Sequence, residues 1–145
     1  MKVYLDNAAT TPIAPEIIEM MSQMMKTHFA NPSSVHSFGR ESKIIVESAR
    51  KRIAKLLNTS PGSIFFTSGG TEADNMAIKC AIHDHKITHA ITSKISHQAV
   101  LYPLQDLDKV GVIKLSYIDI DKDGAVSLSH LKELLNDNSR TFVSI

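Results

Sequence analysis

With 145 residues, 43% hydrophobic and 21% charged, the chain has the composition of a globular protein and enough material for one domain with a real core. A net charge of +1 offers no electrostatic pull toward nucleic acid or an anionic membrane, so neither is expected as a partner and small-molecule chemistry is the default. The apolar stretch in the opening MKVYLDNAATTP is too short for a signal-peptide core, no run approaches the roughly 20 apolar residues that span a bilayer, and the lone Cys80 cannot form an internal disulfide, which together point to the cytoplasm.

Residues 1–14 read as an N-terminal arm. Residues 15–28 carry Ile17, Ile18, Met21, Met24 and Met25 on or near one helical face, a stripe expected to be plain core packing because flexible thioethers fill irregular gaps. A polar, turn-rich segment, 31–38, leads to a long helix over about 39–58, with Ile45, Ala49, Ile53, Leu56 and Leu57 at helical spacing and a Ser60-Pro61-Gly62 breaker behind it. From there the pattern alternates: strand 63–67, helix 71–83, strand 89–92, helix 97–109, strand 112–117, helix 127–135, strand 141–145. Such alternation predicts an α/β fold, a mostly parallel sheet with helices on both faces. The last strand has no helix after it to cover the sheet, so the chain is expected to be the N-terminal portion of a longer protein, whether a fragment, a cleaved product or one piece of a split chain.

Residues 64–78, IFFTSGGTEADNMAI, hold the most informative pattern: an apolar run, a Ser-Gly-Gly turn, and a helix opening on Thr71 and Glu72. Small residues at that corner leave backbone N–H groups unobstructed, and the first helical turn adds N–H groups without intrahelical partners, which together suit a phosphate. No Lys follows Gly69 or Gly70 as a P-loop requires, and the three spaced glycines of a dinucleotide fingerprint are missing. A single phosphate on a non-nucleotide cofactor gains weight; an ordinary strand-to-helix turn is the competing reading. The turns near 68–71 and 94–97 both follow predicted strand ends, where ligands of parallel sheets bind, so they can converge on one pocket.

Four segments in order, YLDNAATTP from Tyr4, NPSSVHSFGR from Asn31, FTSGGTEADN from Phe66 and SHQAV from Ser96, resemble the cysteine desulfurases, pyridoxal 5'-phosphate (PLP) enzymes of the class V aminotransferase group. The resemblance runs over essentially the whole chain. It implies the aspartate-aminotransferase-like (fold type I) large domain, with residues 15–145 its N-terminal portion continuing past the chain end. It implies conversion of L-cysteine to L-alanine, with sulfur passed on as an enzyme persulfide for iron–sulfur cluster or thio-cofactor synthesis. A homodimer and a sulfur-acceptor protein such as an iron–sulfur scaffold are the implied partners. By the family's order the Schiff-base lysine, the acid paired with the pyridine nitrogen and the persulfide cysteine all lie downstream of Ile145. Two alternatives stay open: another class V PLP enzyme, such as a selenocysteine lyase or an aminotransferase, and a non-catalytic phosphate- or partner-binding fragment.

Carried onto this sequence, the resemblance makes Gly70 and Thr71 phosphate ligands and His97 both a cofactor-binding and a catalytic residue, its flat ring packing on the pyridine and exchanging a proton near neutrality. His97 is expected to matter to chemistry and little to stability. Most relatives have Glu before this His; here Ser96 stands there, so any influence of that carboxylate is absent. Glu72 and Asp74 favour the helix dipole as caps, and Asn75 either faces the cofactor site or bonds to nearby backbone. The segments around Asp6 and His36 are implied near the active-site entrance and the dimer contact, with no catalytic role assigned.

Three other patterns are set aside. Asp119 to Gly124 copies half an EF-hand loop, but His130 replaces the bidentate Glu, so a turn before a helix explains it better than calcium. His83, Asp84, His85 and His89 match no closed zinc pattern and read as a solvated connection, so no metal is expected. Cys80, among apolar helical neighbours, is expected to be buried and inert.

Overall fold

The computed structural model describes residues 1–136 and 140–145, which divide into two compact units, Met1–Phe65 and Phe66–Ile145. In the first, helix α1 (Pro15–Thr27) begins on a proline, whose missing N–H is an unpaired donor position anyway and whose φ is preset for helix. The helix buries no residue, and Met25 is 69% exposed, so the expected methionine core is overturned. Periodicity specifies an apolar face; it does not supply the element that covers it.

Helix α2 (Ser37–Leu56) is capped by His36, whose Nδ1 accepts the Gly39 N–H at 3.3 Å. Asn31 closes the turn before it, its side chain accepting the Ser33 N–H and its carbonyl the Ser34 N–H. The turn lies so close to the helix that a Cβ on Gly39 would stand 2.5 Å from the Ser34 carbonyl oxygen. Gly39, Ser42 and Ala54 form the buried face, whereas Ala49, Leu56 and Leu57 of the expected core stripe are exposed, Leu56 by 85%. Small residues add little to an apolar periodicity, although they are the ones that permit close approach.

The strand expected over 63–67 is a second correction. Pro61–Ser63 forms a 3-10 turn, and although Ile64 is extended, residues 64–67 belong to no strand among the described residues. Apolar and aromatic side chains favour extended backbone, but a strand also requires a hydrogen-bonded neighbour. The Ile64 carbonyl instead accepts from the Arg50 guanidinium.

In the second unit, helix α3 (Gly70–Asp84), strand β1 (His89–Ser93), helix α4 (Gln98–Lys109), strand β2 (Lys114–Ile118), helix α5 (Leu128–Leu135) and strand β3 (Thr141–Ser144) build a parallel sheet of order β2-β1-β3. His89 pairs in register with Lys114 on one side and Thr141 on the other. Parallel neighbours need a crossover, and α4 supplies the one from β1 to β2. Ile78 and Ile82 of α3, Ala90 of β1, Leu104 of α4 and Ile113 form the core, with Val100, Leu107, Leu115 and Phe142 packed against it. Ile91 and Ile118 are buried as well, and burying a large aliphatic side chain contributes about 1.5–3 kcal/mol.

Every residue of central strand β1 is buried. His89, expected in a solvated connection, is 3% exposed, with Nε2 2.9 Å from the Ser116 hydroxyl and Nδ1 3.3 Å from the Thr141 hydroxyl. It joins all three strands by side chain as well as backbone. His83 and Asp84 remain exposed and bond to each other at 2.9 Å. Cys80 is exposed, against the expectation of burial: it lies on the outer face of α3, away from Ile78 and Ile82. Between β2 and α5, Ile120 and Val126 form an antiparallel bridge around a turn in which the Asp121 carboxylate accepts the N–H groups of Asp123 and Ala125, and Gly124 takes φ +84°. Among the described residues no helix is long and apolar enough to cross a membrane, and no group of three or more His, Cys, Asp or Glu side chains is arranged to hold a metal.

Candidate functional site

The turn 68–71 is held by side chains on both flanks, the Thr67 hydroxyl donating to the Gly69 carbonyl at 3.2 Å. Glu72, in the first turn of α3, reaches back to accept both the Ser68 N–H at 2.6 Å and the Ser68 hydroxyl at 2.7 Å, a variant of the capping box. These two bonds hold the Glu72 carboxyl below its ordinary value. The Ser68 hydroxyl is thereby taken up, while no side chain caps α3 at Gly69 and the helix's first backbone bond runs from the Ala73 N–H to the Gly69 carbonyl. A Cβ built on either Gly69 or Gly70 would meet nothing within 4 Å. Uncapped N–H groups beside open space make a cradle for an anion.

The second turn ends at His97, which caps α4: its Nδ1 accepts the Ala99 N–H at 3.1 Å. The cap gives His97 a bearing on stability besides its place at the cavity; losing a Ser, Thr, Asn or Asp cap costs about 0.5–2 kcal/mol. A ring nitrogen that accepts an amide N–H carries no proton, so the neutral imidazole bears its proton on Nε2.

Helices α3 and α4 pack against each other, and the gap between their first turns is a cavity of about 280 Å³. Thr71 and Asn75 line it from α3; His97, Gln98, Ala99 and Tyr102 line it from α4. Two of the three site residues read from the sequence, Thr71 and His97, thus meet in one cavity. Gly70 opens the same helix one residue before Thr71 without being part of the lining. Asn75 makes the backbone bond, its Nδ2 donating to the Thr71 carbonyl at 3.0 Å, and also lines the cavity. Gln98 and Tyr102 were missed, although each pair, Thr71 with Asn75 and Gln98 with Tyr102, has the i, i+4 spacing that places two residues on one helical face. Lys94 points elsewhere, its ammonium 5.8 Å from the centre of the Tyr117 ring.

A parallel sheet whose strand-end turn leads into a helix N-terminus, facing a second helix N-terminus across a small cavity, defines an α/β protein. The chain belongs to the aminotransferase class-V family, whose model matches residues 3–145. It is 45% identical over 140 residues to the cysteine desulfurase IscS of Dictyoglomus turgidum and 42% identical over 139 residues to that of Methanosarcina thermophila, covering 95% and 94% of this chain. It spans about a third of the length of these relatives, 35% and 34% respectively. Among solved structures, a NifS-like protein superposes with a TM-score of 0.87 at 37% identity, over 100% of this chain and 40% of that one. A protein named SspA, in complex with cysteine, superposes with a TM-score of 0.79 at 32% identity over 94% of this chain and 39% of its own.

Proposed function

We propose that this chain is the N-terminal part of a PLP-dependent cysteine desulfurase, residues 1–14 forming an arm and 15–145 the first portion of the PLP-binding large domain. The observation that carries the reading is the meeting of Thr71 and His97 across one cavity at two helix N-termini. The donor set fits the cofactor's phosphate: Gly70 and Thr71 offer backbone N–H groups and Thr71 a hydroxyl, beside glycines with open space around them. His97 offers a flat ring face for the pyridine and a proton held at Nε2. When bound, PLP supplies the electron sink for carbanion chemistry at an amino acid's Cα. Glu72 stiffens the turn through its two bonds to Ser68, and Asn75 steadies the Thr71 backbone.

The substrate in this reading is L-cysteine, converted to L-alanine with the sulfur passed to an enzyme thiol as a persulfide, for iron–sulfur cluster or thio-cofactor synthesis. A homodimer, a sulfur-acceptor protein and the cytoplasm complete it. The test is to incubate the intact polypeptide carrying this sequence with PLP, L-cysteine and a thiol, and to measure alanine and sulfide together. Stoichiometric release of both is expected. A PLP-loaded protein that transaminates cysteine without releasing alanine would place it elsewhere in the family, and failure to load PLP would remove the reading.

A further inference from the structure

We propose that the hydroxyl pair of Thr92 and Ser96 positions His97, setting the orientation and tautomer in which its imidazole meets the cavity; the inference rests on the cofactor reading above. Thr92 lies in the central strand, is 0% exposed, and is β-branched, so its hydroxyl sits on a rigid frame. Its Oγ1 is 3.1 Å from the Ser96 Oγ. The same turn is tied to the strand end twice more: the Ser96 N–H donates to the Ser93 carbonyl at 3.1 Å, and the buried Ser93 hydroxyl accepts the Ile95 N–H at 3.1 Å. Ser96 is therefore the last anchored residue before His97.

His97 is fixed from its other end by the bond from Ala99 to Nδ1, which forms only while the residue keeps its capping backbone, φ −58° and ψ 146°. Loss of the Ser96 hydroxyl contact leaves Ser96 held by its N–H on the Ser93 carbonyl alone and loosens the peptide that sets this backbone. Nδ1 then loses its amide donor for part of the time and can take up the ring's proton, leaving Nε2 without it. The anchoring hydroxyls are neutral, so they hold the turn without placing a charge beside the ring. Neither Thr92 nor Ser96 lines the cavity; they act through His97.

The test is nitrogen NMR of the full chain labelled at histidine, with His97→Asn identifying the His97 signals, read where the ring is neutral. The Nε2–H form is expected to dominate in the unaltered protein. Ser96→Ala should raise the share of the Nδ1–H form several-fold, and Ser96→Thr should restore the original pattern. Thr92→Val with Ser96→Ala removes both hydroxyls and leaves neither orphaned, so it should show the same redistribution in a folded protein. An unchanged tautomer in Ser96→Ala and in the double variant overturns the proposal. Pyridoxine 5'-phosphate, which has the ring and phosphate but no aldehyde, separates this from the underlying reading. If it leaves the His97 signals unmoved while the variants still shift the tautomer, the cofactor reading fails and the positioning pair stands. If it moves them equally in the original protein and in Ser96→Ala, with no change of tautomer, the site stands and the pair falls.

Discussion

His97 holds two roles that a single alanine substitution would conflate: a cap on α4 through Nδ1 and a ring facing the cavity. Asparagine keeps a side-chain acceptor suited to a cap and removes the imidazole, so the two roles separate. In the PLP-loaded intact protein, His97→Asn is expected to retain the melting temperature and lower alanine release by about 10²- to 10⁴-fold, the usual contribution of a proton-transfer group. His97→Ala should show the same kinetic loss together with about 1 kcal/mol of destabilisation. Near-normal turnover in the asparagine variant would remove His97 from the chemistry. At Glu72 the sign of the pH effect follows from its two bonds to Ser68, which lower the folded-state pKa below the unfolded value. The contribution is present at pH above the ordinary carboxylate value and is lost as pH falls through the lowered one. The Ser68 amide should therefore lose hydrogen-exchange protection on acidification with a midpoint below that of a free Glu, and Glu72→Gln should abolish the step. A midpoint at or above the ordinary value would show that the bonds are not formed in solution.

At the level of elements, the junction between the Asn31 turn and α2 is set by backbone proximity. Gly39→Ala would drive a Cβ to 2.5 Å from a carbonyl oxygen and 2.7 Å from the Ser34 Cβ, neither of them the tip of a flexible side chain. Overpacking of this kind costs about 1–3 kcal/mol, more than the better helix propensity of alanine returns. Urea unfolding should register that loss; a change within about 0.5 kcal/mol, typical of an open surface site, would mean that the turn lies farther away. Helix α4 shows the opposite balance, since it runs through Pro103 although an interior proline costs about 3 kcal/mol relative to alanine. Pro103 and the adjacent Leu104 are both buried, so packing offsets the lost backbone bond.

Across the whole second unit, His89 is the side chain that ties the sheet together, reaching a hydroxyl on each neighbouring strand. His89→Leu keeps the volume apolar and removes both bonds, which should cost about 1–3 kcal/mol, the range for a buried polar group deprived of its partner. Thermal unfolding measures the total, and hydrogen exchange should show loss of protection in β2 and β3 together. Wild-type stability with unchanged exchange would reduce His89 to a spacer.

Much of this was legible in the one-dimensional pattern. Helices α1 to α5 and strands β1 to β3 lie within a few residues of their predicted places, because helical and strand periodicities report local geometry directly. Thr71 and His97 do share a cavity, as the sequence reading expected, but only half of its premise holds: the His97 turn follows strand β1, whereas no described strand precedes Thr71. Tertiary structure alone decided which apolar faces are covered, as the exposed stripe of α1 and the exposed Leu56 and Leu57 of α2 show. It also decided that 64–67 joins no described strand and that His89 is interior, because pairing and burial depend on residues distant in sequence. The double role of His97 belongs with these: residue type and position marked it for chemistry, but only the folded turn shows its Nδ1 committed to the Ala99 amide and its proton left on Nε2.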